Sequence, residues 1–105
     1  MNQTIINKLT KYFNNQPIEK AWIFGSYARS EETVRSDIDI LVNFSPNEKI
    51  TLLKYIHIIN DLTSLTGRKI DLVEEGQLMQ YAQNSADRDK ILIYEREEWI
   101  LSNKG

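Results

Sequence analysis

The sequence predicts a small α/β (α+β) domain, a mixed sheet with helices packed on it, and three observations carry that reading. Apolar residues recur at three- and four-residue spacing in two segments, the mark of amphipathic helices. Short runs rich in Ile, Val and Leu, bounded by Gly or polar turn residues, mark strands. The longer helical segment stands between the second and third runs and has the length of a crossover, which requires those two strands to be parallel.

Ile5, Ile6, Leu9, Tyr12 and Phe13 form the apolar stripe of a first helix that ends before Pro17. Ala21 to Phe24 is a short buried strand closed by Gly25, and Ile38, Ile40, Leu41, Val42 and Phe44 make the second strand, introduced by Ser36-Asp37. Ser45 with Glu48 three residues on, and Pro46 between them, predicts a capping box that opens the long helix. That helix carries Leu52, Leu53, Ile56, Ile59, Leu62 and Leu65 and stops at Gly67. Ile70 to Val73 is a third strand, Gln77 to about Asp89 a further helix, Ile91 to Tyr94 a fourth strand and Glu95 to Leu101 a short terminal helix. The four Gly and two Pro are scattered singly, with no repeat or low-complexity linker, so residues 1–105 read as one domain.

Composition excludes several classes. A chain of 105 residues buries roughly two-thirds of its unfolded surface. It contains no Cys, which removes disulfide and thiol chemistry. Met1-Asn2-Gln3-Thr4 is no secretion leader and no apolar run reaches membrane-span length, so a cytoplasmic location away from membranes is expected. Thirteen Lys and Arg against fifteen Asp and Glu give a net charge of −2, without the basic excess of a protein that binds nucleic acid directly. Any anion must be held locally.

Asp37 and Asp39 lie two apart in an apolar strand, so both point to one face. Such like charges suit a hard divalent cation, Mg²⁺ or Mn²⁺. The plainer alternative is a turn cap at Asp37 and a solvated Asp39. Asp71 sits near the start of the third strand as that pair sits near the start of the second, so parallel strands with matched starts bring all three carboxylates to one end of the sheet. Converging carboxylates are the mark of metal-assisted phosphoryl or nucleotidyl transfer. Gly25 after a buried strand permits a tight turn, and the amides beyond it, with the Ser26 hydroxyl, can hold phosphate oxygens. Alone, Gly-Ser after a strand is only a turn. Its fixed distance from the acidic pair, with ten residues between Ser26 and Asp37, is what distinguishes it.

The segment from Gly25-Ser26-Tyr27-Ala28-Arg29 through Ser36-Asp37-Ile38-Asp39-Ile40-Leu41-Val42 resembles the signature of the minimal nucleotidyltransferases, small relatives of the DNA polymerase β superfamily. A chance match of this kind arises in on the order of one in a thousand chains of such length. Lys69-Ile70-Asp71-Leu72-Val73 is similar to the family's third-carboxylate strand, and the resemblance spans nearly the whole chain. It implies the polymerase β-like fold, with Asp37 and Asp39 holding Mg²⁺ and the triphosphate of ATP, Gly25 and Ser26 on the β and γ phosphates, and Asp71 as a third metal-site carboxylate acting near the attacking hydroxyl. One departure is Ser30, where the family usually has Gly.

The resemblance also implies the antitoxin half of a type VII-like toxin–antitoxin pair, a Mg²⁺-dependent adenylyltransferase that moves AMP from ATP to a tyrosine of a HEPN ribonuclease toxin. Two other readings compete: an antitoxin that acts by occlusion alone, and a nucleotidyltransferase for a small hydroxylated molecule. Arg29, nearer the loop than Arg35, is the preferred cation for the triphosphate. His57, without a partner at metal-ligand spacing, reads as structural or exposed, Trp22 as core, Trp99 and Tyr94 as partner-surface aromatics, and Asp87 to Lys90 as a solvated helix face.

Overall fold

A computed structural model describes residues 3–25, 28, 37–75 and 90–96. Its elements run α1 (Gln3–Phe13), β1 (Ile18–Phe24), β2 (Ile38–Phe44), α2 (Leu52–Thr66), β3 (Ile70–Glu74) and β4 (Ile91–Glu95). The sheet order is β3-β2-β1-β4, with β2 and β3 parallel and the other pairs antiparallel. The expected mixed sheet and the parallel crossover are therefore both present. The expected helix at 77–89 lies outside the described residues. So does the terminal helix from residue 97 on, while Glu95 belongs to β4, pairing with Lys20 across the ladder, and Arg96 follows that strand outside any helix.

α1 buries Ile5, Leu9 and Phe13, one stripe at four-residue spacing. α2 adds Ile58 and Leu62, and both helices cover the sheet face built by Ile18, Ala21, Ile23, Ile38, Ile40, Val42, Ile70 and Leu72. β1 begins three residues earlier than the apolar run suggests. Ile18 is fully buried opposite Phe44, and a bulge at Glu19 leaves that one residue unpaired before the ladder resumes at Lys20 opposite Asn43. On the other face Trp22 and Leu41 form a small buried cluster with Phe24 and Val73, so Trp22 is core as expected.

The capping box is corrected. Ser45 donates its amide to the Pro17 carbonyl at 2.9 Å, which ties it to the strand entry, and Glu48 N–H returns to the Ser45 carbonyl at 3.1 Å in a turn. Pro46 suits the second position of such a turn as well as it suits a helix start. The helix begins instead at Leu52, where the Thr51 hydroxyl accepts the Lys54 amide at 3.1 Å. At the far end Gly67, with φ +68°, donates to the Thr63 carbonyl and closes the helix as predicted. Thr51→Ala should lower unfolding free energy by about 1 kcal/mol, as loss of a helix cap does. Urea melts of Thr51→Ala and Ser45→Ala check this, and a larger loss for Ser45→Ala than for Thr51→Ala contradicts the assignment.

Arg96 follows β4 and folds back on the end of α1, donating from Nε to the Ile18 carbonyl at 3.1 Å and from one terminal nitrogen to the carbonyls of Phe13 and Gln16. A cation on the last carbonyls of a helix satisfies groups that the helix itself leaves over. Tyr94 packs against Phe13 with ring centroids 6.0 Å apart, half-buried against the helix-covered core. In the ladder Tyr94 stands opposite buried Ala21, and the register shift at Ile93 sets both Ile93 and Tyr94 against the core.

Candidate functional site

The parallel ladder sets Ile38 beside Ile70 and Asp39 beside Asp71. Ile38 N–H donates to the Lys69 carbonyl at 2.9 Å, which locks the two strand starts together. Ile38, Ile40, Ile70 and Leu72 are buried under the helices, so the alternating residues Asp39 and Asp71 project from the opposite face, on neighbouring strands about 4.8 Å apart. Asp39 is half-buried and Asp71 exposed. Asp37 stands two residues ahead of Asp39 and meets Lys69 at 3.9 Å; with both side chains substantially solvated, that pair contributes little to stability.

β1 brings Gly25 to the same end. Phe24 is the ladder partner of Asp39, and Gly25 turns directly over that carboxylate with φ +73°. A Cβ at this position would lie 2.2 Å from Asp39 Oδ2 and 3.2 Å from its Cγ. Glycine is therefore required twice, by the left-handed backbone and by the close approach of the turn to the acidic group. Gly25→Val should push Asp39 from its place, with a cost of about 1–3 kcal/mol from backbone strain and overpacking. Equilibrium binding of ATP with Mg²⁺ to this variant checks the placement of the loop, and affinity equal to the parent's contradicts it.

Among the described residues, no group of three carboxylate or imidazole side chains closes on a single point. Asp37, Asp39 and Asp71 are neighbours along and across two strands without forming an all-protein cage. That suits Mg²⁺, which takes one or two carboxylates and completes its octahedron with phosphate oxygens and water. The donor set is hard oxygen, and the absence of a side chain at Gly25 lets the turn come close to Asp39 Oδ2.

Beneath β3, Tyr55 of α2 donates its hydroxyl to the Leu72 carbonyl, and its ring meets Phe44 edge-on at 6.4 Å. Burial pushes the Tyr55 phenol above its ordinary value, and the negative charges of Asp71 and Glu74 add to the effect. Sequence reading passes over this tyrosine, because its spacing marks only a helix face. His57 is exposed and lies 3.2 Å from Asp61, which also accepts the Tyr12 hydroxyl at 2.6 Å in a tie between the helices. Burial first, and that hydrogen bond second, raise the Tyr12 phenol far above the usual range.

Lys90 is no solvated helix residue. It stands ahead of β4, pairs with Glu75 at 3.1 Å and lies 4.7 Å from the centroid of the Trp22 ring, a half-buried cation across the sheet's second face. Ser26, Arg29, Ser30, Arg35, Trp99 and the run Asp87 to Asp89 lie outside the described residues. A cleft of about 760 Å³ opens at the opposite end of the sheet, lined by Gln16, Glu19, Ser45, Asn47, Lys54 and Arg96, and it holds none of the predicted site residues. Among the described residues no helix is long and apolar enough to cross a membrane.

The profile of a family described as polymerase beta, nucleotidyltransferase, matches residues 7–99. A protein of Methanocaldococcus jannaschii provisionally named a protein adenylyltransferase is 44% identical over 72 residues, which are 68% of this chain and 71% of the relative. Protein adenylyltransferase MntA of Thermococcus cleftensis is 34% identical over 76 residues, 72% of this chain and 75% of that one. Among solved structures, a chain in the complex of a tri-AMPylated HEPN toxin of Shewanella oneidensis with an MNT antitoxin superposes with a TM-score of 0.67, at 20% identity, over 93% of this chain and 76% of its own length. At that identity the likeness is one of fold.

Proposed function

The chain belongs to the polymerase β nucleotidyltransferase family, and from that premise we propose that it is a protein adenylyltransferase serving as an antitoxin, which moves AMP from ATP to a tyrosine of a HEPN-type ribonuclease toxin. One observation carries the reading: a ladder that puts Asp39 beside Asp71, with Gly25 turned over the Asp39 carboxylate. The relative named MntA and the neighbouring complex with an AMPylated toxin support the choice of acceptor. Residues 1–105 act as one catalytic domain, and the acceptor arrives on a separate protein.

Asp37 and Asp39 hold the divalent ion together with the triphosphate, while Gly25 and Ser26 present backbone and hydroxyl donors to the β and γ phosphates and Arg29 offsets their charge. Mg²⁺, or Mn²⁺ in its place, when bound neutralises the charge on the transferring phosphate and on the leaving pyrophosphate. Asp71 shares that metal site from the neighbouring strand and accepts the proton of the attacking phenol. The phenolic oxygen forms its bond to the α-phosphorus, the bond to the bridging oxygen breaks, and pyrophosphate leaves with that electron pair. Incubating the chain with labelled ATP, Mg²⁺ and a HEPN toxin encoded beside it should place label on the toxin. Neutralisation without label supports occlusion alone, and label on a small hydroxylated molecule with none on the toxin supports the third reading; either result overturns this one.

A further inference from the structure

We infer that Tyr55 is a positioning residue for Asp71, fixing the outermost described strand of the sheet so that the Asp71 carboxylate meets the acceptor hydroxyl. The inference rests on the functional reading above and extends it to a residue that no strand motif contains. β3 is held by β2 on one side only among the described strands. Ile38 N–H reaches the Lys69 carbonyl and Glu75 N–H reaches the Val42 carbonyl. Lys69, Asp71, Val73 and Glu75 therefore turn their backbone groups toward β2, and Leu72 turns its own outward.

An outward carbonyl on a terminal strand has no ladder to hold it, and Tyr55 supplies the donor there, one residue beyond Asp71. The phenol is itself fixed, half-buried and set edge-on against Phe44, on a helix whose Ile58 and Leu62 are fully buried. Its hydroxyl thus links the strand that carries Asp71 to the rigid helical layer. Asp37 and Asp39 lie on the other side of the ladder, in and before a strand held by neighbours on both edges. Loss of the Tyr55 hydroxyl should accordingly disturb the Asp71 side of the site and spare nucleotide binding.

Tyr55→Phe keeps the ring and removes the bond. Measured on the full chain with ATP, Mg²⁺ and the toxin, it should lower kcat by about tenfold to a hundredfold, the range that slight misplacement of a reacting group produces, with the KM for ATP unchanged. In an Asp71→Asn background the same change should have no further effect on the residual rate, because the carboxylate it positions is gone. A Tyr55→Phe rate equal to the parent's, a rise in the KM for ATP with kcat unchanged, or equal losses in both backgrounds overturns the inference. Should Tyr55→Phe not fold, Tyr55→His, which keeps a ring and a donor, should transfer faster than Tyr55→Leu, and equal rates overturn it. A parent chain that modifies no HEPN partner overturns the functional reading instead, a result that the parent control separates from the others.

Discussion

Asp39→Asn should abolish AMP transfer and leave the fold in place. The side chain keeps its size, so the space beneath Gly25 remains filled and the contact with the turn is preserved. What disappears is one negative charge in the site proposed to hold a divalent ion beside a triphosphate. With only Asp37 left on β2's approach, the oxygen donors from that strand fall short of what a hydrated Mg²⁺ exchanges water for. Removal of one oxyanion-hole donor costs an enzyme about 10²–10³ in rate, and loss of a charged metal ligand should cost at least that. Stability should not fall, since Asp39 and Asp71 are like charges on adjacent strands and removing one relieves repulsion. Transfer assays and thermal melts on the same preparation check both halves. Asp37→Asn should act in the same direction, and full activity in both variants sinks the metal assignment.

Asp71→Asn should behave differently. Asp71 is exposed on the outermost described strand and faces the acidic pair from across the ladder, a place suited to the incoming hydroxyl more than to the triphosphate. In the proposed mechanism its charge takes a proton at the moment of attack, and general-base action contributes about a hundredfold to ten-thousandfold. ATP affinity should therefore survive largely intact while transfer drops by that factor. Measuring both on one preparation separates three outcomes: retained affinity with lost transfer supports the base, lost affinity makes Asp71 chiefly a metal ligand, and unaltered transfer removes it from the site.

Much of this protein was readable from local spacing. Alternation placed Asp39 and Asp37 on one face of a strand whose other face is buried. The length of the segment from Leu52 to Thr66 demanded a crossover and hence a parallel pair, and Gly67 marked its end. These are properties that a few consecutive residues decide, because strand period, helix period and the left-handed freedom of glycine are set by the backbone itself.

Tertiary structure decided what depends on partners distant in sequence. Asp39 stands opposite Asp71 and not one residue away because buried Ile38, Ile40, Ile70 and Leu72 must all face the helices, and a slip of one residue would expose them. Ser45 lost the helix cap to Thr51 because the chain before β1 claims its amide. Lys90 crosses toward Glu75 over Trp22, and Tyr55 reaches the Leu72 carbonyl, contacts that no periodicity encodes. The sequence by itself singled out the candidate carboxylates and the strand or strand start at which each stands. Their meeting at one end of the sheet was decided by packing, since register is the arrangement in which all the apolar faces are buried at once.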